Sequence, residues 1–303
     1  MRILLTGVTG QVGGALQARL TEFGTVVAPD RTELDLSRPD ALGRILNGMA
    51  PDLIVNPGAY TAVDVAEDEQ ELAYRVNAEA PRALAQWAAR RDVPIVQFST
   101  DYVFDGSGDR PWREDDPTGP LSVYGASKRA GELAVREAGG SHLIVRTSWV
   151  FASKGRNFLN TIIRLARERP ELRVVADQIG APTSARAIAE GVVSILRAGG
   201  QQNRIAESFG SVDGLVHMAA SGETSFHGFA TAIVDGLRKR GDPLTVGNIV
   251  AIGTRDFPTR AVRPLNSRLD MRRLRHGFGM NMPDWRDALE VELDDVFASG
   301  VAG

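Results

Sequence analysis

The chain has 303 residues, 43% of them hydrophobic and 24% charged, with 32 Gly, 15 Pro and no Cys. That balance can bury a sizeable core, so disordered and collagen-like chains are excluded, as are disulfide frameworks, thiol nucleophiles and cysteine-held metal or iron–sulfur sites. Lys and Arg number 35 against 38 Asp and Glu, a net charge of -3, so no global positive field holds nucleic acid and small ligands are expected.

From the start, Met1–Gly7 carries too short an apolar run for a signal peptide. No later stretch approaches the ~18 apolar residues that span a bilayer, so no membrane role is expected, and the cytoplasm is the expected location. Apolar runs at Ile3–Leu5, Val26–Ala28, Leu53–Val55, Ile95–Phe98 and Leu143–Val145 read as strands, and their continuity predicts burial on both faces. Between them Val12, Leu16 and Leu20 recur at helical spacing, and Leu42, Ile45, Leu46 and Met49 follow an N-cap expected at Ser37 and Pro39. Glu67–Arg90 is helical but interrupted at Pro81, giving either two helices or one kinked helix. After about residue 148 the alternation loosens, with Gly180-Ala181-Pro182, Gly199-Gly200 and Gly241-Asp242-Pro243 as breaks and a last amphipathic helix on Trp285, Leu289, Leu293 and Val296. The basic run Arg268–His276 is interleaved with Leu269, Met271 and Leu274 and reads as a solvated helix face. The β-α alternation predicts an α/β protein with a Rossmann-type doubly wound parallel sheet, residues 1–148. A smaller C-terminal substrate-binding lobe follows in 149–303, some segments of which return to the first domain.

Gly7-Val8-Thr9-Gly10-Gln11-Val12-Gly13 follows the first strand and opens the first helix. Three glycines at this spacing arise by chance somewhere in roughly a third of chains this rich in Gly, so the position carries the argument. A strand-to-helix turn needs residues free of Cβ for close backbone approach, and the helix N-terminus then faces a pyrophosphate. Asp30, after the second strand, suits a ribose 2′-hydroxyl and hence NAD, whereas Arg31 suits a 2′-phosphate; the choice between NADH and NADPH stays open.

Tyr124 and Lys128 stand four apart at the start of a helical run and share one face. With 4 Tyr and 3 Lys in the chain, an accidental Tyr-x-x-x-Lys is expected at roughly 4%. A nearby ammonium is expected to favour the phenolate and bring a tyrosine toward working pH as an acid–base group. Upstream, Ile95–Thr100 turns polar at its carboxyl end, where open α/β sheets bind ligands. Strand alternation puts Thr100 on the face opposite Ser99 and Asp101, where its hydroxyl could meet a substrate carbonyl.

The glycine run, the Tyr-x-x-x-Lys helix and the Thr before it resemble an extended short-chain dehydrogenase/reductase. Thr6–Gly13, Thr61–Asp64, Ser99–Phe104, Arg146–Val150, Asp177–Thr183 and Arg263–Leu269, in that order, narrow the resemblance to the dTDP-4-dehydrorhamnose reductase family. It implies reduction, by NADPH or NADH, of the C4 ketone of a dTDP-4-dehydro-6-deoxy sugar. Tyr124 would protonate the oxygen, Lys128 would hold the nicotinamide ribose and lower the tyrosine pKa, and Thr100 would polarise the ketone. Asp101 and Trp149 would line the sugar site. Gly7, Thr9, Gly10, Gln11, Val12, Gly13, Asp30 and Arg31 would hold the dinucleotide, with Asp35-Leu36 near the adenine and Ala59-Tyr60 in the loop after the third strand. Where the family often reads Asn-Ala-Ala-Ala-His, this chain reads Asn56-Pro57-Gly58-Ala59-Tyr60. Related dehydratases carry an Asp-Glu pair after the Thr, whereas Asp101-Tyr102 stands here and disfavours dehydration. Some bacterial members dimerise through magnesium on three glutamates; the matching positions here are Ala15, Arg186 and Arg286, which implies no metal and a monomer or a weak, metal-free homodimer. The contrasting readings are a 4-ketoreductase for another dTDP-sugar and a non-catalytic regulatory NADP-binding subunit. Intact Tyr124, Lys128, Thr100 and Trp149 argue against the latter.

Overall fold

A computed structural model describes residues 1–200 and 202–298; residues 299–303 of the expected second lobe lie outside the described residues. Strands and helices alternate through the first half: β1 (Arg2–Leu5), α1 (Gln11–Arg19), β2 (Thr25–Val27), α2 (Pro39–Met49), β3 (Leu53–Asn56), α3 (Gln70–Tyr74), α4 (Ala80–Ala89), β4 (Ile95–Thr100), α5 (Val123–Glu137) and β5 (His142–Thr147). The second half runs β6 (Val150–Phe151), α6 (Phe158–Glu168), β7 (Glu171–Val175), β8 (Ile179–Gly180), β9 (Thr183–Ser184), α7 (Ala185–Gly199), α8 (Gln202–Gly210), β10 (Leu215–His217), β11 (Thr224–Ser225), α9 (Phe226–Lys239), β12 (Asn248–Ile252), α10 (Arg272–Phe278) and α11 (Trp285–Ala298).

Six strands form one parallel sheet in the order β10-β5-β4-β3-β1-β2. The chain leaves β1 outward to β2 and then returns to β3 on the other side, so the strand order reverses at β1, the place where open α/β sheets bind ligands. Alternate strand residues feed two cores, as a two-residue side-chain period requires. Ile3, Leu5, Val55, Val96 and Phe98 pack with Leu16 of α1 and Ile188, Val192 and Ile195 of α7, while Leu4, Ile54, Ile95 and Ile144 pack with Leu42 and Leu46 of α2, Leu84 and Trp87 of α4 and Val135 of α5. A third core, built on Phe151, Ile162, Phe229, Trp285, Leu289 and Leu293, joins α6, α9 and α11.

The structure departs from the sequence reading in several places, of which these bear on the fold. β2 begins one residue earlier than expected. Ser37 does not cap α2: its N–H donates to Asp35 Oδ1, and Arg38 holds the N-cap position with Pro39 in the first turn. Between α3 and α4 the backbone widens into a π-turn over Arg75–Glu79, and Pro81 sits in the first turn of α4 directly after it. β10, unread in the sequence because three residues carry no period, comes from the second half of the chain and pairs with β5.

Candidate active site

The glycine turn leaves β1 at the point where strand order reverses. Gly7 has φ +59°, and a Cβ on Gly13 would stand 2.1 Å from the Gly7 carbonyl oxygen, so only glycine lets α1 start so close to the strand. Gly10 occupies the N-cap with no side-chain cap, which leaves the N–H groups of the first turn for an anion. Thr9 is exposed at this turn and Val12 packs into the core behind it. Gln11 Oε1 accepts from Asn157 Nδ2 at 2.9 Å, tying the turn to the N-cap of α6. These features fit a dinucleotide pyrophosphate.

Asp30 lies three residues beyond β2 with Oδ1 already committed: it accepts from Thr32 N–H (2.8 Å), Thr32 Oγ1 (2.6 Å) and Glu33 N–H (3.1 Å). Those hydrogen bonds, Thr32's side chain first, hold its pKa below the ordinary value. Arg31 is exposed, with Nε 3.6 Å from Asp35 Oδ1. Leu36 reaches under Gly58, where a Cβ would come within 2.6 Å of Leu36 Cδ1. The loop after β3 is pinned by a residue the sequence reading missed. Asn77 Oδ1 accepts from Tyr60 N–H at 2.9 Å, while its Nδ2 donates to Tyr60 O and to Ser127 Oγ, both at 3.0 Å. Ala59 and Tyr60 therefore present a fixed backbone, and the Tyr60 hydroxyl turns away to donate to Glu69 Oε2.

Ser122 caps α5, its Oγ accepting from Gly125 N–H, and so fixes the helix start that carries Tyr124 and Lys128. A Cβ on Gly125 would stand 2.2 Å from Tyr102 O, so the first turn of α5 presses directly on the chain leaving β4. Lys128 is 4% exposed and its Nζ donates to Phe98 O at 2.7 Å. Burial lowers its pKa to about 8 against the raising influence of Glu132. Tyr124 differs from expectation. Loss of solvent pushes its phenol above the ordinary value, a nearby Thr100 hydroxyl pulls it down, and Asp101 and Tyr102 push it further up. Lys128 does not offset this, because its ammonium is turned to the β4 carbonyl.

Thr100 ends β4, and Asp101 opens a tight turn over Asp101–Val103. Alternation therefore stops at Thr100: its Oγ1 donates to Asp101 Oδ1 at 3.0 Å, so the two side chains converge rather than oppose. Asp101, 2% exposed, is pushed up to about 6 by burial, with Ser267 and Thr100 working the other way. Asp101 Oδ2 and Ser267 Oγ are both buried and have no hydrogen-bond partner among the described residues. Trp149 adopts φ +47°, a strained conformation for a bulky residue, and its ring stacks on Phe226 at 3.7 Å with Gly180 against the indole edge. Phe226 was not read from sequence, and Gly180 was read only as a chain break and part of a motif, not as a neighbour of Trp149, since each lies more than 30 residues away along the chain.

A glycine turn at the reversal point of a parallel sheet, with a Tyr–Lys helix beside the carboxyl end of β4, is the build of a Rossmann-type nicotinamide-dependent reductase. Residues 1–297 match the family described as the RmlD substrate binding domain. The chain is 48% identical over 300 residues to dTDP-4-dehydrorhamnose reductase of Burkholderia thailandensis, covering 98% of this chain and 100% of that protein. It is 42% identical to the Escherichia coli K12 protein of the same name, covering 99% of each. A solved dTDP-4-dehydrorhamnose reductase from Bacillus anthracis in complex with NADP superposes with a TM-score of 0.86 at 33% identity, covering 97% of this chain and 99% of that one. The chain belongs to this reductase family.

Proposed function

We propose that this protein reduces the C4 ketone of dTDP-4-dehydro-L-rhamnose to give dTDP-L-rhamnose, with Tyr124 as proton donor. The convergence of Tyr124, Thr100, Lys128 and Asp101 at the carboxyl end of β4, beside the glycine turn, carries this reading. Bound at that turn, NADPH or NADH supplies the hydride that adds to C4. Tyr124 gives its proton to the ketone oxygen as that oxygen gains charge. A phenol with a raised pKa is fully protonated at neutral pH, which suits a donor working in the reductive direction. Thr100 orients the carbonyl, and Lys128, an ammonium below about pH 8 held at the β4 end by Phe98 O, holds the nicotinamide ribose. Asp101 and Trp149 hold the sugar, Asp101 by accepting hydroxyl hydrogen bonds at Oδ2.

The sign of the pH dependence follows from Lys128. Its ammonium is retained below pH about 8 and lost above it, so kcat/KM is expected to be level between about pH 6, above which Asp101 is ionised, and pH 8, and to fall about tenfold per pH unit above that. A profile flat to pH 10 would refute the role given to Lys128.

Both dinucleotides have a partner at the end of β2. Asp30 keeps Oδ2 for a ribose hydroxyl, and Arg31 is free to swing from the exposed Asp35 contact toward a 2′-phosphate. Arg31→Ala is expected to raise KM for NADPH by about tenfold, the loss of one charge-assisted contact, and to leave KM for NADH within twofold. Initial rates with each cofactor check it.

The reading includes a cytoplasmic enzyme that is a monomer or a weak, metal-free homodimer. Arg186 pairs with Glu292 and Asp295, so these acids already face a fixed cation, and Arg286 lies over the Trp285 ring at 4.3 Å. Sedimentation is expected to be identical with and without EDTA. A dimer that EDTA dissociates would contradict it.

A further inference from the structure

After β12 the chain leaves the second lobe and crosses the carboxyl end of the sheet over residues 257–269. It is fastened at both ends. Ala261 N–H donates to Asp64 Oδ1 at 3.1 Å and Arg260 pairs with Asp68, while Asn266 N–H donates to Gly106 O at 3.0 Å and Ser267 N–H to Ile179 O at 2.7 Å. Phe257, Val262 and Leu265 point outward, and Ala261 and Ser267 are buried. Between the two fastenings, Arg263 turns inward with its side chain 17% exposed.

The guanidinium of Arg263 is held on two sides. Nη2 donates to Asp64 Oδ2, and Nη1 lies 3.5 Å from the Tyr102 hydroxyl with the guanidinium carbon 5.9 Å from the Tyr102 ring centre. Tyr102 in turn touches two residues of the site. Its ring meets Tyr124 edge-on at 5.4 Å and 77°, and its N–H donates to Thr100 Oγ1 at 3.3 Å. The Tyr102 carbonyl is also the atom against which Gly125 closes.

We propose that Arg263, anchored by Asp64, is a positioning residue that fixes the Tyr102 ring against Tyr124 and so sets where the donor hydroxyl points. The inference rests on the reading of Tyr124 as proton donor. A surface ion pair that merely latched two parts of the chain would not need the second contact to an aromatic ring that itself packs on the donor. The planar fork of arginine serves both contacts at once, whereas a lysine reaches one. Misplacement of a reacting group by about 1 Å costs up to about 100-fold in rate, so a second layer of this kind matters to kcat.

The test uses the full-length enzyme with dTDP-4-dehydro-L-rhamnose and NADPH. Arg263→Met is expected to lower kcat about 10- to 100-fold, with KM for both substrates and the NADPH dissociation constant within twofold, and with a larger solvent isotope effect on kcat as proton transfer becomes slower. Arg263→Lys keeps the pairing with Asp64 and loses the Tyr102 contact, so it is expected to keep the melting temperature yet share the kcat loss. In a Tyr102→Ala background, Arg263→Met is expected to cost little more. Wild-type kcat in Arg263→Lys, or a full Arg263→Met loss persisting in the Tyr102→Ala background, would overturn the proposal. Tyr124→Phe run alongside separates the two claims: its retaining activity removes the donor assignment, whereas an inactive Tyr124→Phe beside fully active Arg263 variants removes only the positioning role.

Discussion

Tyr124→Phe is expected to lower kcat by about 10²- to 10⁴-fold, the range that a positioned general acid supplies, while leaving NADPH affinity close to wild type. The substitution removes one oxygen and keeps the ring, so the edge-on packing with Tyr102 survives and α5 keeps its start at Ser122. Thr100 keeps its hydrogen bond to Asp101 and Lys128 its bond to Phe98 O, so the rest of the site is undisturbed. The loss therefore reports the missing proton. Stopped-flow absorbance of the reduced cofactor, with fluorescence titration of NADPH, measures both quantities. Equal losses of rate and of cofactor affinity would show that the hydroxyl binds rather than donates.

The second large effect concerns stability. Glu132, one turn beyond Lys128 on α5, accepts from Arg146 Nε and Nη2 at 2.7 Å each, from Arg129 Nη1 at 3.0 Å and from Ser99 Oγ at 2.6 Å. Burial works to raise its pKa, but the Arg146 hydrogen bonds and charge outweigh it and hold the carboxyl below the ordinary value. Arg146 is 2% exposed, and its guanidinium lies 5.0 Å from the Phe104 ring centre and near a buried His217 that burial keeps neutral. Glu132→Ala strands that guanidinium without its carboxylate, and breaking a buried pair costs about 3–5 kcal/mol. The melting temperature is expected to fall by about 10 °C. Replacing both partners with apolar residues, Glu132→Leu with Arg146→Met, is expected to recover much of the loss, because no buried charge is then left alone. Calorimetry of the two variants beside wild type checks this, and a double variant as unstable as the single would contradict it. The wild-type contribution has a defined pH window. Because the folded pKa is depressed, it is present above the unfolded value near 4.5 and is lost as pH falls through the folded one.

What could be read from the sequence was local. The glycine turn, Tyr124 with Lys128, and the polar end of β4 each lie within a few residues, where spacing translates directly into a shared helix face or a strand end. The relations that tune them cross the chain and leave no periodic trace. Asn77 reaches from the π-turn to Ser127 on α5, Glu132 reaches from α5 to Arg146 on β5, and Arg263 reaches Tyr102 across 161 residues. The π-turn that aims Asn77 was visible only as an interruption at Pro81. Burial was the larger blind spot. Charge proximity alone predicted a lowered tyrosine, yet desolvation raises it and Lys128 bonds a backbone carbonyl instead. Asp30 likewise read as open to a ribose, although half of its carboxylate closes its own turn.

The most direct measurement is turnover of dTDP-4-dehydro-L-rhamnose by the purified protein, following loss of NADPH or NADH absorbance and identifying the sugar product by NMR. One reduced cofactor consumed per sugar, with dTDP-L-rhamnose as product, is the predicted result. NADPH binding without any oxidation, or oxidation only with a different dTDP-ketosugar, would contradict the assigned reaction.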